Sequence, residues 1–243
     1  MDDRIQSVII GTTKSLIEYI PIIGSVLTNS YDEFSSIQEQ RKINRLEELC
    51  IGLQQDIDSL KSRINKEYVN NTEFSDVFEE VVRYVVNERI DEKREMFKKI
   101  LVNSITSEKC SYDRTEKYTK LLDKLGILEL KILAVLNNPV SFNIKAGEII
   151  KDPNKQEPNF RNIVTVWKTY NTIDVLKQLL NETQEDIFDS TNTLENEGLI
   201  LEQFSKIRIQ TNGHPINTLD GTLTLKGKDF VSFILDYPNL SSN

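Results

Sequence analysis

Histidine occurs once in these 243 residues, tryptophan once and cysteine twice. The single His214 lies between Gly213 and Pro215 in a turn-forming stretch. One chain therefore cannot assemble a histidine-rich zinc site, and His214 has no partners at the spacing of a Ser-His-Asp relay. Cys50 and Cys110 are far apart and form no CxxC pair, so the expectation is a reduced, cytoplasmic protein. The nine glycines are scattered, and neither GxxxxGK(S/T) nor GxGxxG occurs, which argues against a phosphate-cradling loop. Basic segments are missing too. Residues 1–70 carry 8 basic and 11 acidic side chains, residues 71–125 carry 11 and 12, and residues 126–243 carry 11 and 15. A net charge of -8 repels phosphate backbones and anionic lipid. These absences point away from an enzyme, and no cofactor or metal is expected.

What is present is a soluble composition, 38% hydrophobic and 28% charged, in a chain long enough for one large core or two modest ones. The beginning, with Asp2 and Asp3, lacks the basic leader and small-residue cleavage site of a secretory signal. The apolar stretch from Ile5 to Leu27 is broken by Thr12, Thr13, Ser15, Pro21 and Gly24. Its continuous apolar length falls short of the ~18–20 residues of a membrane span. Proline ends the preceding helix near Tyr19, giving a helix, an apolar corner at Ile20, Pro21, Ile22, Ile23 and Gly24, and a second helix. Membrane contact through this corner is one rival reading.

Ile43, Leu46, Cys50, Leu53, Ile57, Leu60 and Ile64 recur in steps of three and four, a seam about three heptads long. The seam must be covered by other helices of the chain or by a second copy. Packing within the chain is the first expectation, because three heptads are few and Gly52 weakens the helix; a homo-oligomer is also expected. Ile43, Leu46, Leu53, Ile57 and Leu60 are the residues on which self-association or bundle packing would depend. A second stripe, Phe74, Val77, Phe78, Val81, Val82, Val85 and Val86, has helical spacing despite its β-branched content, with Thr72 as the expected cap. The charged run Glu88–Glu95 reads as a solvated face.

From Leu128 the pattern changes. A helix ending before Asn137 and Pro139 is followed by a long polar connection, a helix over 173–180, and a helix capped by Thr183 and ended by Gly198. That last helix is expected to carry an apolar set of Ile187, Phe188, Thr191 and Leu194. Alternating strands at 199–201 and 207–210, a return at 223–225 and a closing helix over 226–235 complete the pattern. The string LeuGluAsnGluGlyLeuIle at 194–200, with Leu225-Lys226-Gly227 entering the last helix, resembles the end of many bacterial winged-helix domains. The expected fold class is mainly α: a helical bundle with a heptad helix over residues 1–125, then a winged helix-turn-helix-like domain with a small β-wing over 126–243. The corner IleProIleIleGlySerVal at 20–26 is similar to leading segments of uncharacterised bacterial and prophage-type proteins, some associated with phage defence.

A winged helix that reads DNA carries basic and amide side chains on its recognition helix. Here Gln178–Ser205 contains no Lys or Arg and seven carboxylates. Gln184, Asn192 and Asn196 have no cation beside them to anchor a phosphate; Lys206 and Arg208 of the wing are too few to reverse the balance. Nucleic acid is therefore not the expected partner. The expectation is a non-enzymatic interaction or assembly protein of the bacterial cytoplasm, in phage defence or stress response, with Glu185, Asp186, Asp189 and Glu195 facing a basic protein partner. Its rivals are a membrane-perturbing effector acting through the apolar corner and a DNA-binding regulator acting through the wing.

Overall fold

The computed structural model describes residues 16–17, 20–21, 23–36, 39–106, 111–145, 147, 172–201, 219 and 221–235. These are mainly helical, and the chain divides into two compact units, Met1–Lys124 and Leu125–Asn243.

The first unit is a helical bundle. Helix α1 (Ile23–Ser36) packs on α2 (Gln40–Leu60). A 3-10 turn (Lys61–Arg63) and the short α3 (Lys66–Val69) lead to α4 (Thr72–Asn87), α5 (Asp91–Thr106) and α6 (Tyr112–Lys124). Helix α2 contacts α1, α4 and α5, so its heptad seam is covered by the same chain. Ile43, Leu46, Cys50, Leu53 and Ile57 are buried along it, together with Leu49, and Leu60 at its end is half-buried. The α4 stripe fills the middle of the bundle, with all seven of its apolar residues buried. Tyr84 and Phe97 stack face to face across α4 and α5, ring centroids 5.3 Å apart.

Two local readings need correction. The cap of α4 is Asn71, whose Oδ1 accepts from the Glu73 amide at 3.1 Å; Thr72 is the first helical residue. Asn is among the strongest N-caps and stands one residue closer to the turn. The run Glu88–Glu95 is not simply a solvated face. It contains a corner at 88–90, where Glu88 Oε1 accepts from the Arg89 and Ile90 amides (2.7 and 2.9 Å), and it buries Lys93 to 7% exposure. Lys93 Nζ donates to the Asp123 carbonyl at 2.9 Å and pairs with Glu88 at 3.4 Å.

In the second unit, α7 (Ile127–Asn137) is followed at once by α8 (Pro139–Lys145), whose first-turn proline costs no hydrogen bond. Helix α7 also packs on α9 (Thr172–Leu180), α10 (Gln184–Asn196) and α11 (Leu225–Ile234). Helices α9 and α10 pack on each other across the short connection 181–183, with Asn181 in the left-handed region (φ 55°) after α9. An antiparallel bridge joins Ile200 to Leu223. Of the expected strands, 199–201 and 223–225 contribute only this bridge, with α11 already begun at Leu225, and residues 202–218, which include the expected strand 207–210 and His214, lie outside the described residues, as do Cys110, Trp167 and the connection over 148–171.

Candidate docking surface on the acidic helix

Helix α10 is held at both ends by bonds that its sequence specifies locally. Thr183 Oγ1 accepts from the Asp186 amide (3.1 Å) and donates to Asp186 Oδ2 (2.6 Å), satisfying an otherwise orphaned amide at the N-terminus. At the other end Gly198 takes φ 66°. Its amide donates to Glu195 O (2.9 Å) and the Leu199 amide to Leu194 O (3.0 Å), the double closure of a Schellman cap.

The cap is clamped in turn by the start of α11. The Thr224 amide donates to Leu199 O at 3.0 Å, and Thr224 Oγ1 donates to Gly198 O at 2.7 Å while accepting from the Gly227 amide at 2.9 Å. Lys226 Nζ donates to Glu197 O, placing a cation at the negative end of the α10 dipole. Gly227 lies directly over Leu199: an alanine Cβ there would stand 2.0 Å from the Leu199 carbonyl oxygen.

The inward face of α10 is Ile187, Ser190, Thr191 and Leu194, all buried. Outward stand Gln184, Glu185, Asp186, Asp189 and Asn196, all exposed, with Asn192 and Glu195 half-exposed. Of the four carboxylates singled out from the sequence, Glu185, Asp186 and Asp189 thus share the exposed surface and Glu195 borders it. Phe188 departs from the expected apolar set. It is 45% exposed, lying between the carboxylates and the buried stripe.

The other sequence-derived sites are internal. Ile20 and Ile23 of the apolar corner are buried, Pro21 is exposed, Gly24 is half-buried and Ile22 lies outside the described residues. Each fully buried isoleucine released from the bundle would forfeit about 1.5–3 kcal/mol. Among the described residues no helix is long and apolar enough to cross a membrane, and no group of three His, Cys, Asp or Glu is arranged to hold a metal ion. Cys50 is enclosed in the α2 seam, and burial first, then the Glu47 carboxylate, push its thiol up to about 12. A thiolate nucleophile is therefore not formed there near neutral pH.

One polar feature was not legible in the sequence, a cleft of about 270 Å³ between α2, α4 and α5. Arg94, 14% exposed, reaches Glu48 at 3.1 Å and Asp91 at 3.0 Å; Lys98 reaches Glu95 at 2.8 Å and Asp56 at 3.3 Å. Burial opposes the charge on Lys98, but Glu95 and Asp56 more than offset it and hold the ammonium above its usual range. Arg45 Nη1 donates to the Val86 carbonyl at 2.8 Å, covering a free acceptor at the end of α4. The Lys98 stem crosses Gly52, where a Cβ would meet its Cδ at 2.9 Å. Each cation in the cleft already has acceptors from its own chain, so the cluster ties α2 to α4 and α5.

No protein-family model matches the chain, and no curated protein or solved structure is significantly similar to it.

Proposed function

We propose that this chain is a non-enzymatic interaction protein whose second unit is a winged-helix-type module turned toward a basic protein surface. The observation that carries the reading is the outward side of α10. Glu185, Asp186 and Asp189 are exposed there, Glu195 borders them, and the stretch Gln178–Ser205 contains seven carboxylates and no Lys or Arg. A phosphate backbone meeting this helix would be repelled, whereas a surface bearing Lys and Arg would be steered toward it.

Binding of a basic peptide and of duplex DNA to the full chain tests this reading. The wild type is expected to bind the peptide in a salt-dependent way and to leave the DNA free. Glu185→Lys with Asp189→Lys should abolish peptide binding. Glu67→Lys with Glu92→Lys makes the same change in total charge at exposed positions of the other unit and should not abolish it. Equal losses in the two double variants, or saturable DNA binding by the wild type, would overturn the reading.

A further inference from the structure

We propose that Phe188 is the anchor of this docking surface. It packs against the apolar face of a basic amphipathic segment while Glu185 and Asp189 meet Lys or Arg at the edge of that face. The inference rests on the interaction reading above and names the chemistry of the occupant: a basic amphipathic protein segment whose apolar side chains are flanked by Lys or Arg.

Several observations converge on it. The core does not require Phe188, since Ile187, Thr191 and Leu194 are each fully buried on the inward side of the same helix. Phe188 nevertheless keeps 45% of its surface exposed. Of the exposed large apolar side chains among the described residues (Ile51, Ile144, Phe188, Leu201 and Leu225), it alone is aromatic. Its surroundings follow from helical spacing: Gln184 and Glu185 lie one turn before it, Asn192 one turn after and Glu195 two turns after. An aromatic side chain ringed by polar ones is the usual composition of an interface anchor, where the rim excludes water and the ring supplies the apolar contact. Helix α10 is also capped at both ends and clamped by Thr224, so docking on it orders little that is not already ordered.

The charge pattern decides the occupant. A second copy meeting this surface through a two-fold axis would set Glu185 and Asp189 against their own counterparts. Anionic lipid and nucleic acid are repelled by the same carboxylates. A basic segment with apolar side chains meets both features together.

Anisotropy titrations of the full chain with a labelled amphipathic Leu/Lys helix and an oligolysine of equal charge test the proposal. The wild type is expected to prefer the Leu/Lys helix. Phe188→Ser should weaken that complex about tenfold or more, ~1.4 kcal/mol per factor of ten, and leave oligolysine binding unchanged. Phe188→Leu, which keeps an apolar side chain, should restore most of the loss; circular dichroism checks that both variants are folded. If Phe188→Ser binds both probes as the wild type does, the anchor is wrong while the basic-partner reading stands. If the wild type binds neither probe, both fail.

Discussion

Replacing Gly227 by alanine sets two effects of opposite sign against each other. Gly227 is the third residue of α11, and in an unconstrained helix alanine would be more favourable than glycine by about 0.8–1 kcal/mol. The surroundings reverse this. The new Cβ would stand 2.0 Å from Leu199 O and 2.9 Å from Leu199 C, whereas ordinary contact begins at 3.4 Å, so the two segments must separate by more than an ångström. The atom to be displaced is backbone: Leu199 O accepts from the Thr224 amide at 3.0 Å and shares the Thr224 hydroxyl proton, at 3.1 Å, with Gly198 O at 2.7 Å. The Leu199 amide also closes the α10 cap. Weakening two or three such bonds costs about 1 kcal/mol each, and loosening fully buried Leu199 adds to this. After the propensity gain is subtracted, the net loss is about 2–3 kcal/mol. At roughly 2–4 °C per kcal/mol for a chain of this size, Tm should fall by about 4–12 °C. Urea unfolding followed by circular dichroism measures the free energy, and hydrogen exchange at the Leu199 and Thr224 amides should accelerate. A variant more stable than the wild type by the propensity difference would refute the close approach and the clamp argued from it.

Three further outcomes follow from the same geometry. Ile187→Ala, at a fully buried position, should cost about 2–4 kcal/mol, whereas Phe188→Ser next to it should cost about 1 kcal/mol; similar losses in urea unfolding would contradict the outward placement of Phe188. Cys50, with its thiol pushed up to about 12 by burial, should resist a thiol reagent in the folded chain and react once urea unfolds it, which the rate of labelling at that residue reads directly. Burial works to raise the Glu88 carboxyl, but the Ile90 and Arg89 amides and the Lys93 ammonium together hold it below the usual range. A carboxyl depressed by folding contributes stability above its unfolded value and loses it as pH falls through the folded one. Glu88→Gln should therefore be less stable than the wild type at neutral pH and converge with it in acid; a constant difference across that range would refute the assignment.

What the sequence made legible was local. The α2 seam followed from apolar spacing alone, and its burial within the chain follows from α1, α4 and α5 surrounding it. Thr183 and Gly198 marked the ends of α10 because capping depends on residues a few positions apart. Periodicity placed Phe188 with Ile187 in an apolar set, but an apolar residue at the edge of a stripe turns inward only if the neighbouring helix leaves room. Here Ile187, Thr191 and Leu194 fill the interior and Phe188 remains half outside. Lys93 read as surface because charge runs usually are. The Asp123 carbonyl that receives it comes from a distant part of the sequence, and Glu88 is brought to it by the corner at 88–90. Gly52 looked like a helix weakness and Gly227 like part of the entry to the last helix; the groups lying across them, the Lys98 stem and the Leu199 carbonyl, come from distant parts of the sequence.

Chemical-shift mapping on the isotopically labelled full chain, titrated with the Leu/Lys helix, reads out whether the exposed side of α10 is a docking surface. Saturable shifts should cluster on Gln184, Glu185, Phe188, Asp189 and Asn192, with the buried Ile43, Leu46 and Leu53 unaffected. Shifts centred on another surface, or none at α10 when the probe is bound, would contradict a docking surface there.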